Sequence, residues 1–434
     1  MHILRRTLKL LLPTLLASSA FAAPPRSLRP ISVVFLSDIH FNPFNDPGTV
    51  ARLVAAPISR WNTLLAAQPQ SPTLTSAQQG CAAQPDTQYA LLQSALTPMR
   101  TQAASARFVT ISGDLLGHNF LGCFEAFVLA QDHPEDFSFA KPTPLSEAQQ
   151  RQYSAFVDKT LRYLTTQLAL SFPGRPIYIA LGNNDTDCDD YRLTPGSDFL
   201  RRTGALIALR LPLSQRAAIR RSFTQGGNYR LPIAALPNTT LIVLDDLFLA
   251  EGYTSCSTAD HPGESASAQS PNPAGAQIAW LKSQLDSATI AHRKVWVMAH
   301  IPPGLDLYRT LKAGHPVTFL KSDYNLTPIL TAHPETVRLA IFAHTHFDGM
   351  SQLAASDASR SIPLKSVQSL SPGHGNPPSF TVAKIDPRTS DMLEYTIVAT
   401  VKSPTQTSPI TYTWPAPAPP GTSPTWSASP ASPN

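Results

Sequence analysis

The sequence predicts a layered α/β fold with a mixed or second β-sheet. Two observations point there. Short, β-rich apolar runs alternate with segments of helical periodicity over the first 343 residues, and each run ends in polar residues. In the C-terminal third the strand-like runs follow one another with no helical segment between them.

The runs are residues 31–37, 107–112, 176–181, 240–246, 294–299 and 338–343, followed by 363–370, 379–385 and 392–401. All but the ten-residue run at 392–401 fall within the length range of buried strands. Between them, Tyr89, Leu92, Ala95 and Met99 recur at helical spacing. So do Tyr153, Phe156, Leu161, Leu164 and Leu168, and later Ile278, Leu281 and Leu285, joined by Trp280. Residues 257–273 read as a loop, and from about 414 onward Pro, Ala, Ser and Thr dominate without a charged residue. Such a segment cannot bury a core, so residues 402–434 are expected to be a largely disordered tail.

The 434 residues are 42% hydrophobic and 15% charged, which suits one large globular domain or two smaller ones. Residues 1–22 have the pattern of a signal peptide. Arg5, Arg6 and Lys9 precede an apolar stretch at 10–17, and Ala20-Phe21-Ala22 offers a cleavage site. The stretch is too short to span a bilayer and is interrupted by Pro13. Residues 23–30 then form a short linker to a catalytic domain at 31–401, and an exported chain without stable membrane insertion is expected. Without the leader the net charge of +5 falls to about +2, with no Lys/Arg run, which excludes the electrostatic footprint of a nucleic-acid-polymer binder. Cys81, Cys123, Cys188 and Cys256 are an even set in an exported protein, so two disulfides are expected; three pairings remain open.

Chemistry is concentrated at the ends of the apolar runs. Asp38-Ile39-His40, Gly113-Asp114, Gly182-Asn183-Asn184-Asp185, His300 and His344-Thr345-His346 supply enough Asp, Asn and His for two divalent ions. Asp38 and His40, two apart at a strand end, should face the same side. Gly113 permits a tight turn, and the two oxygens of Asp114 could serve two ions. Each cluster alone has a plainer reading. Asp-x-His can be an Asx turn with a surface histidine, Gly-Asp a helix N-cap, and Gly-Asn-Asn-Asp a turn. A lone His300 can simply be packed. All five together, each at the end of an apolar run, favour a ligand site at the carboxyl ends of the strands.

In this order the clusters resemble the calcineurin-like metallophosphoesterase family, with its D-x-H, G-D, G-N-H-D/E, H and G-H-x-H pattern. Further matches at His300-Ile301-Pro302-Pro303-Gly304, His344-Thr345-His346-Phe347-Asp348, Leu92-Gln93-Ser94-Ala95-Leu96 and Asn376-Pro377-Pro378-Ser379-Phe380 resemble its acid sphingomyelinase-like phosphodiesterase branch. The resemblance covers about residues 31–401 and implies a sandwich of two mixed β-sheets flanked by helices, with a dimetal site at the strand ends. It implies one metal on Asp38, His40, Asp114 and His346, and a second on Asp114, Asn183, His300 and His344, with Asp114 bridging. A hydroxide between the ions would attack phosphorus in line with the leaving oxygen. Zinc is the expected metal, with manganese or iron as alternatives.

Two positions depart from the family pattern. Asn184 replaces a histidine that helps protonate the leaving group or hold the phosphate, and an amide cannot act as that acid. His118, four residues after Asp114, matches an active-site histidine of the branch and is assigned as general acid, with Asn184 as a donor to phosphate oxygen. Ala343 replaces a glycine, a small change unless a positive φ is needed there. Gly117 stands where purple acid phosphatases carry their metal-binding tyrosine, which disfavours the iron-tyrosinate subclass.

The expected activity is hydrolysis of a small phosphodiester or nucleotide-like ester by a monomeric enzyme. The alternatives are a phosphomonoesterase on the same site and a non-catalytic, metal-bound interaction protein. Sphingomyelin is less expected, because residues 23–30 leave no room for the lipid-presenting saposin module of sphingomyelinase proper and no amphipathic helix with a basic face is evident.

Overall fold

A computed structural model describes residues 29–67, 73–129, 145–256, 272–354, 360–402 and 412–413. The predicted leader, nearly all of the 257–273 loop and most of the tail lie outside these residues.

The strands are β1 (Ile31–Leu36), β2 (Ala106–Ile111), β3 (Ile177–Ile179), β4 (Tyr229–Pro232), β5 (Thr239–Val243), β6 (Lys294–Met298), β7 (Val337–Phe342), β8 (Gly349–Leu353), β9 (Ile362–Ser366), β10 (Ser379–Ile385) and β11 (Met392–Ala399). The helices are α1 (Pro47–Ala55), α2 (Trp61–Ala66), α3 (Ser76–Ala83), α4 (Tyr89–Gln102), α5 (Phe120–Phe124), α6 (Glu147–Ser171), α7 (Asp198–Ala208), α8 (Leu213–Gly226), α9 (Pro273–Ile290), α10 (Leu307–Ala313) and α11 (Leu326–Thr331).

Two mixed sheets form, as expected. One has the order β11-β10-β1-β2-β3, the other β4-β5-β6-β7-β9-β8. β1, β2 and β3 run parallel, as do β5, β6, β7 and β9; the remaining pairings are antiparallel. Parallel strands at a sheet centre are covered on both faces, which is why β1, β2, β6 and β7 read as continuous apolar runs. The sheets pack face to face: Trp296 of β6 meets Phe35 of β1 and Phe108 of β2 at ring-centroid distances of 6.1 and 5.8 Å. The Trp296 indole N–H donates to Ser390 O at 2.9 Å, so its one polar atom is satisfied inside the core. On the outer face of the second sheet, α9 and α11 bury Ile278, Leu281, Leu285, Leu326 and Leu330.

β4 and β8 are strands the sequence pattern did not single out. β4 alternates buried and exposed residues, and its Tyr229 closes the gap between the sheets, its hydroxyl accepting from Ile179 N and donating to Ile179 O at 2.9 Å each. β8 has no buried residue, as an exposed edge strand can. Within the predicted disordered tail, residues 412–413 instead pair antiparallel with Val401 and Lys402; Tyr and Thr are strand-favouring residues. The four cysteines form Cys81–Cys123 and Cys188–Cys256, with Cα separations of 5.6 and 6.0 Å. The first links α3 to α5, and the second closes the loop after β3 onto the segment after β5. Among the described residues no helix is long and apolar enough to cross a membrane.

Candidate metal centre

The parallel strands of both sheets end on one rim, and the five polar clusters follow β1, β2, β3, β6 and β7 there. Strand alternation does not account for the pairing of Asp38 and His40, contrary to the sequence reading. β1 stops at Leu36, and both residues turn back with left-handed φ of 46° and 44°. Their amides donate to Gly113 O and Asp114 O at 3.0 Å each, which fixes the loop after β1 against the loop after β2. Asp114, His344 and His346 are left-handed too, at 55°, 68° and 63°. This backbone costs an L-residue on the order of 1 kcal/mol, and it persists where the surroundings over-determine it. Ala343 is not among the positive-φ residues, so the missing glycine is tolerated.

Two glycines let the loops meet. Gly113 has φ 106°, and a Cβ there would lie 2.8 Å from His300 Nδ1 and 2.7 Å from Gly182 N. A Cβ on Gly182 would collide with the Asp114 carboxylate. Any larger residue would push apart the loops that carry the cluster.

The histidines are oriented from behind. His40 Nδ1 lies 3.0 Å from Leu116 O and His300 Nδ1 2.8 Å from Ser112 O. A carbonyl can only accept, so both Nδ1 atoms carry hydrogen and both Nε2 atoms face inward. There, His40 Nε2 stands 3.1 Å from His346 Nε2 and 3.5 Å from Asp114 Oδ2. His300 Nε2 stands 3.1 Å from Asn183 Oδ1, 3.2 Å from Asp114 Oδ2 and 3.3 Å from His344 Nδ1. Asp114 therefore faces both groups. Asp38 is fully buried, yet neither of its oxygens has a hydrogen-bond partner of ordinary geometry; the imidazole nitrogen His346 Nε2 stands 3.5 Å from its Oδ1. Buried carboxylates without partners and ring nitrogens aimed at one another are costly unless a cation joins them, so the residues fit a divalent metal site. Donor atoms of Asp38, His40 and Asp114 lie close enough for one ion, as do those of Asp114, His300 and His344.

The electrostatics follow from burial. Burial, then repulsion from His300, pushes His344 down to about 3; burial, then repulsion from His118, does the same to His346. Burial, then His118, holds His40 well below its usual value. These imidazoles are neutral, as metal ligands must be. Burial opposes ionisation of Asp114, but His300 and His40 hold it well below the carboxylate range.

Asn184 faces the Asp114 carboxylate. Its backbone N–H donates to Asp114 Oδ1 and its side-chain Nδ2 to Asp114 Oδ2, at 2.9 Å each. The Asn183 amide is oriented by donation from Nδ2 to Asp190 Oδ1 at 2.7 Å. His118 stacks on His40 with its side chain 39% exposed, and its Nδ1 lies 2.7 Å from Asp86 Oδ1. Burial would lower its pKa, but the Asp86 hydrogen bond and charge raise it to about 9. Its ring atoms also come close enough to those of His40 and His346 to form a third donor group.

Several positioning residues were missed. Asp185 Oδ1 accepts from the Leu115 and Leu116 amides at 2.8 and 3.0 Å, and Oδ2 from Gly182 N at 3.0 Å, so one carboxylate ties two ligand loops together. Asp246 accepts from the amides of His300 and Ile301 at 3.1 and 2.9 Å. Tyr191 places its hydroxyl 3.1 Å from His344 Nε2, and His374 packs its ring 4.8 Å from that of His346. Asp185 ends one of the clusters and Asp246 ends the 240–246 run, so both could have been suspected; Asp86, Tyr191 and His374 carry no local signal. A further correction concerns α10. Its Leu307, Tyr308 and Leu311 are 68%, 75% and 84% exposed, beside Arg309 and Lys312, so a short apolar-basic helix does exist. It lies between Gly304 and Phe319, which are hydrogen-bonded to each other, and the Phe319 ring is 5.3 Å from that of His344.

A family model for calcineurin-like phosphoesterases matches residues 31–348. Human cyclic GMP-AMP phosphodiesterase SMPDL3A is 26% identical over 247 residues, covering 54% of this chain and 49% of that protein. Sphingomyelinase phosphodiesterase D of Dictyostelium discoideum is 26% identical over 248 residues, covering the same shares. The aligned part thus spans about half the length of these curated relatives. Among solved structures, a dimetal phosphatase from Danio rerio aligns over 86% of this chain and 99% of its own, with 13% identity and a TM-score of 0.42. A structure of PhoD aligns over 90% of this chain and 70% of its own, with 10% identity and a TM-score of 0.41.

Proposed function

The chain belongs to the calcineurin-like phosphoesterase family, and on that premise we propose that it is an exported, dimetal hydrolase of a small phosphodiester or nucleotide-like phosphoester. The observation that carries this reading is the position of Asp114 Oδ2, 3.5 Å from His40 Nε2 on one side and 3.2 Å from His300 Nε2 on the other. One ion would be held by Asp38, His40, Asp114 and His346, the other by Asp114, Asn183, His300 and His344. Four imidazoles, two carboxylates and one amide suit zinc, with manganese or iron as alternatives. When bound, the two ions supply Lewis acidity toward the phosphoryl oxygens and lower the pKa of the attacking water.

The chain's own groups do the rest. Asn184 holds the Asp114 carboxylate in place with two hydrogen bonds and keeps a second amide hydrogen for a phosphate oxygen. His118, kept protonated by Asp86 and open to solvent on one side, delivers a proton to the leaving oxygen. The two disulfides support export, since such bonds persist in oxidising compartments.

The test is a panel of aryl and alkyl phosphodiesters, phosphomonoesters, nucleotide esters and sphingomyelin, assayed with zinc or manganese. Faster turnover of diesters than monoesters is expected. No turnover of any member by a chain shown to hold two metals contradicts the enzyme reading. The exposed apolar face of α10 favours a second reading, in which the ester carries an apolar group; sphingomyelin is the member of the panel that would show it.

A further inference from the structure

A cleft of about 330 Å³ opens at the end of β3 opposite to Asn183, between the C-terminus of α6, the 172–176 turn and the link from α7 to α8. Arg175, Arg210 and Arg216 line it, and among the described residues that line it none is acidic. Arg216 is held in place by donating from Nε to Leu211 O at 3.0 Å. The Arg210 Nε is buried without a hydrogen-bond partner. Burial, then the positive charges of Arg162 and Arg216, pushes the Arg210 guanidinium down, so its charged neighbours repel it. The N-terminus of the 14-residue α8 opens beside the cleft. Its N-cap is Pro212, which has no side-chain acceptor for the first amides of the helix.

A buried donor nitrogen is normally paired, and the half-buried Arg210 leaves its Nε without an acceptor. Three arginines around a cleft with no acidic lining residue, one buried donor nitrogen with no acceptor and a helix start with no side-chain cap together suit an anion. A guanidinium fork matches a tetrahedral oxyanion, and the volume admits a phosphate with part of its ester.

We propose that this cleft is a binding site for a phosphate-bearing anion, distinct from the metal centre at the other end of β3. The phosphate could be free in solution or the headgroup of a lipid. Leu209 in the cleft wall and Leu170 and Leu213 beside it are 39%, 64% and 79% exposed, a rim that a lipid surface would cover.

The test uses the full, metal-loaded chain and an Arg175→Glu variant. Arg175 is exposed and remote from the metal cluster, so hydrolysis should be unchanged. Inorganic phosphate is titrated by calorimetry onto both. We expect a second class of phosphate binding in the parent chain, weakened at least tenfold in the variant. In a parallel arm, both are sedimented with phosphatidylglycerol and phosphatidylcholine vesicles, together with a Leu170→Ser/Leu213→Ser variant. Binding to the anionic vesicles alone, lost in both variants, identifies a lipid headgroup; phosphate binding without vesicle binding identifies a soluble ligand. Identical phosphate isotherms for the parent and a folded Arg175→Glu chain, with no vesicle binding, overturn the proposal. An Arg210→Gln variant of unchanged melting temperature that also leaves both readouts unaltered overturns it independently of Arg175.

Discussion

The His118 ring lies flat on that of His40, with 3.8 Å between centroids and 17° between planes, while Asp86 grips its Nδ1 at 2.7 Å. One face of His118 thus belongs to the metal cluster and the other side is open to solvent. If His118 protonates the leaving oxygen, His118→Ala should slow an alkyl ester by about 10²–10⁴-fold. An activated aryl ester, which leaves without a proton, should lose much less. Steady-state rates on the two esters check this; equal losses on both point to a structural role.

Asp86 sets the protonation of that ring. His118 is raised to about 9, so as an acid it is competent below that value and lost as pH rises through it. Asp86→Asn removes the charge, and the imidazole should fall toward the ordinary histidine range of about 6.5. The alkaline limb of the pH–rate profile for an alkyl ester should move to lower pH in the variant. Superimposable profiles contradict the assignment.

Asp185 is the acceptor for three backbone amides in two ligand loops. Asp185→Ala leaves these buried donors unpaired, at about 1–3 kcal/mol for each that finds no water. Urea unfolding should show a loss of several kcal/mol, and metal affinity should weaken about 10–100-fold, as for other residues that orient ligands. Asp185→Asn can still accept from two of the three and should lie between. Unchanged stability and unchanged metal affinity in the alanine variant would falsify this role.

Asp391 joins Arg338 of β7 to Arg360, accepting from Arg338 at 3.0 and 2.6 Å and from Arg360 at 2.7 Å. Partial burial opposes its ionisation, but these hydrogen bonds hold its pKa below the usual value. A depressed carboxylate pKa stabilises the fold above the unfolded value, about 3.9, and the contribution disappears as pH falls through the folded value. Asp391→Asn should therefore cost about 1 kcal/mol at neutral pH once solvent screening of this partly exposed group is allowed for, and the gap should close as pH falls below about 4. Melting curves of the two chains across that range check the sign.

Much of the fold was legible because central parallel strands are buried on both faces and so appear as unbroken apolar runs. The polar clusters that the fold gathers into the candidate site were legible because each directly follows such a run. The edge strands β4 and β8 were not, since partly exposed edges carry mixed polarity. Nor was the way Asp38 and His40 come to one side: a left-handed turn at Asp or His leaves no trace in hydrophobic periodicity. Asp86, Tyr191 and His374 reach the centre from segments remote in sequence, and only the folded chain brings them together. The pairing of Cys81 with Cys123 was equally hidden, because it depends on how α3 packs on α5.

In the proposed centre, two ions would share Asp114. The most direct test of that proposal is metal content by mass spectrometry on the purified chain and on Asp114→Ala, after equilibration with zinc. Two ions per parent chain are expected, and one or none per variant chain. A variant that retains both ions, or a fully active parent chain holding fewer than two, would contradict it.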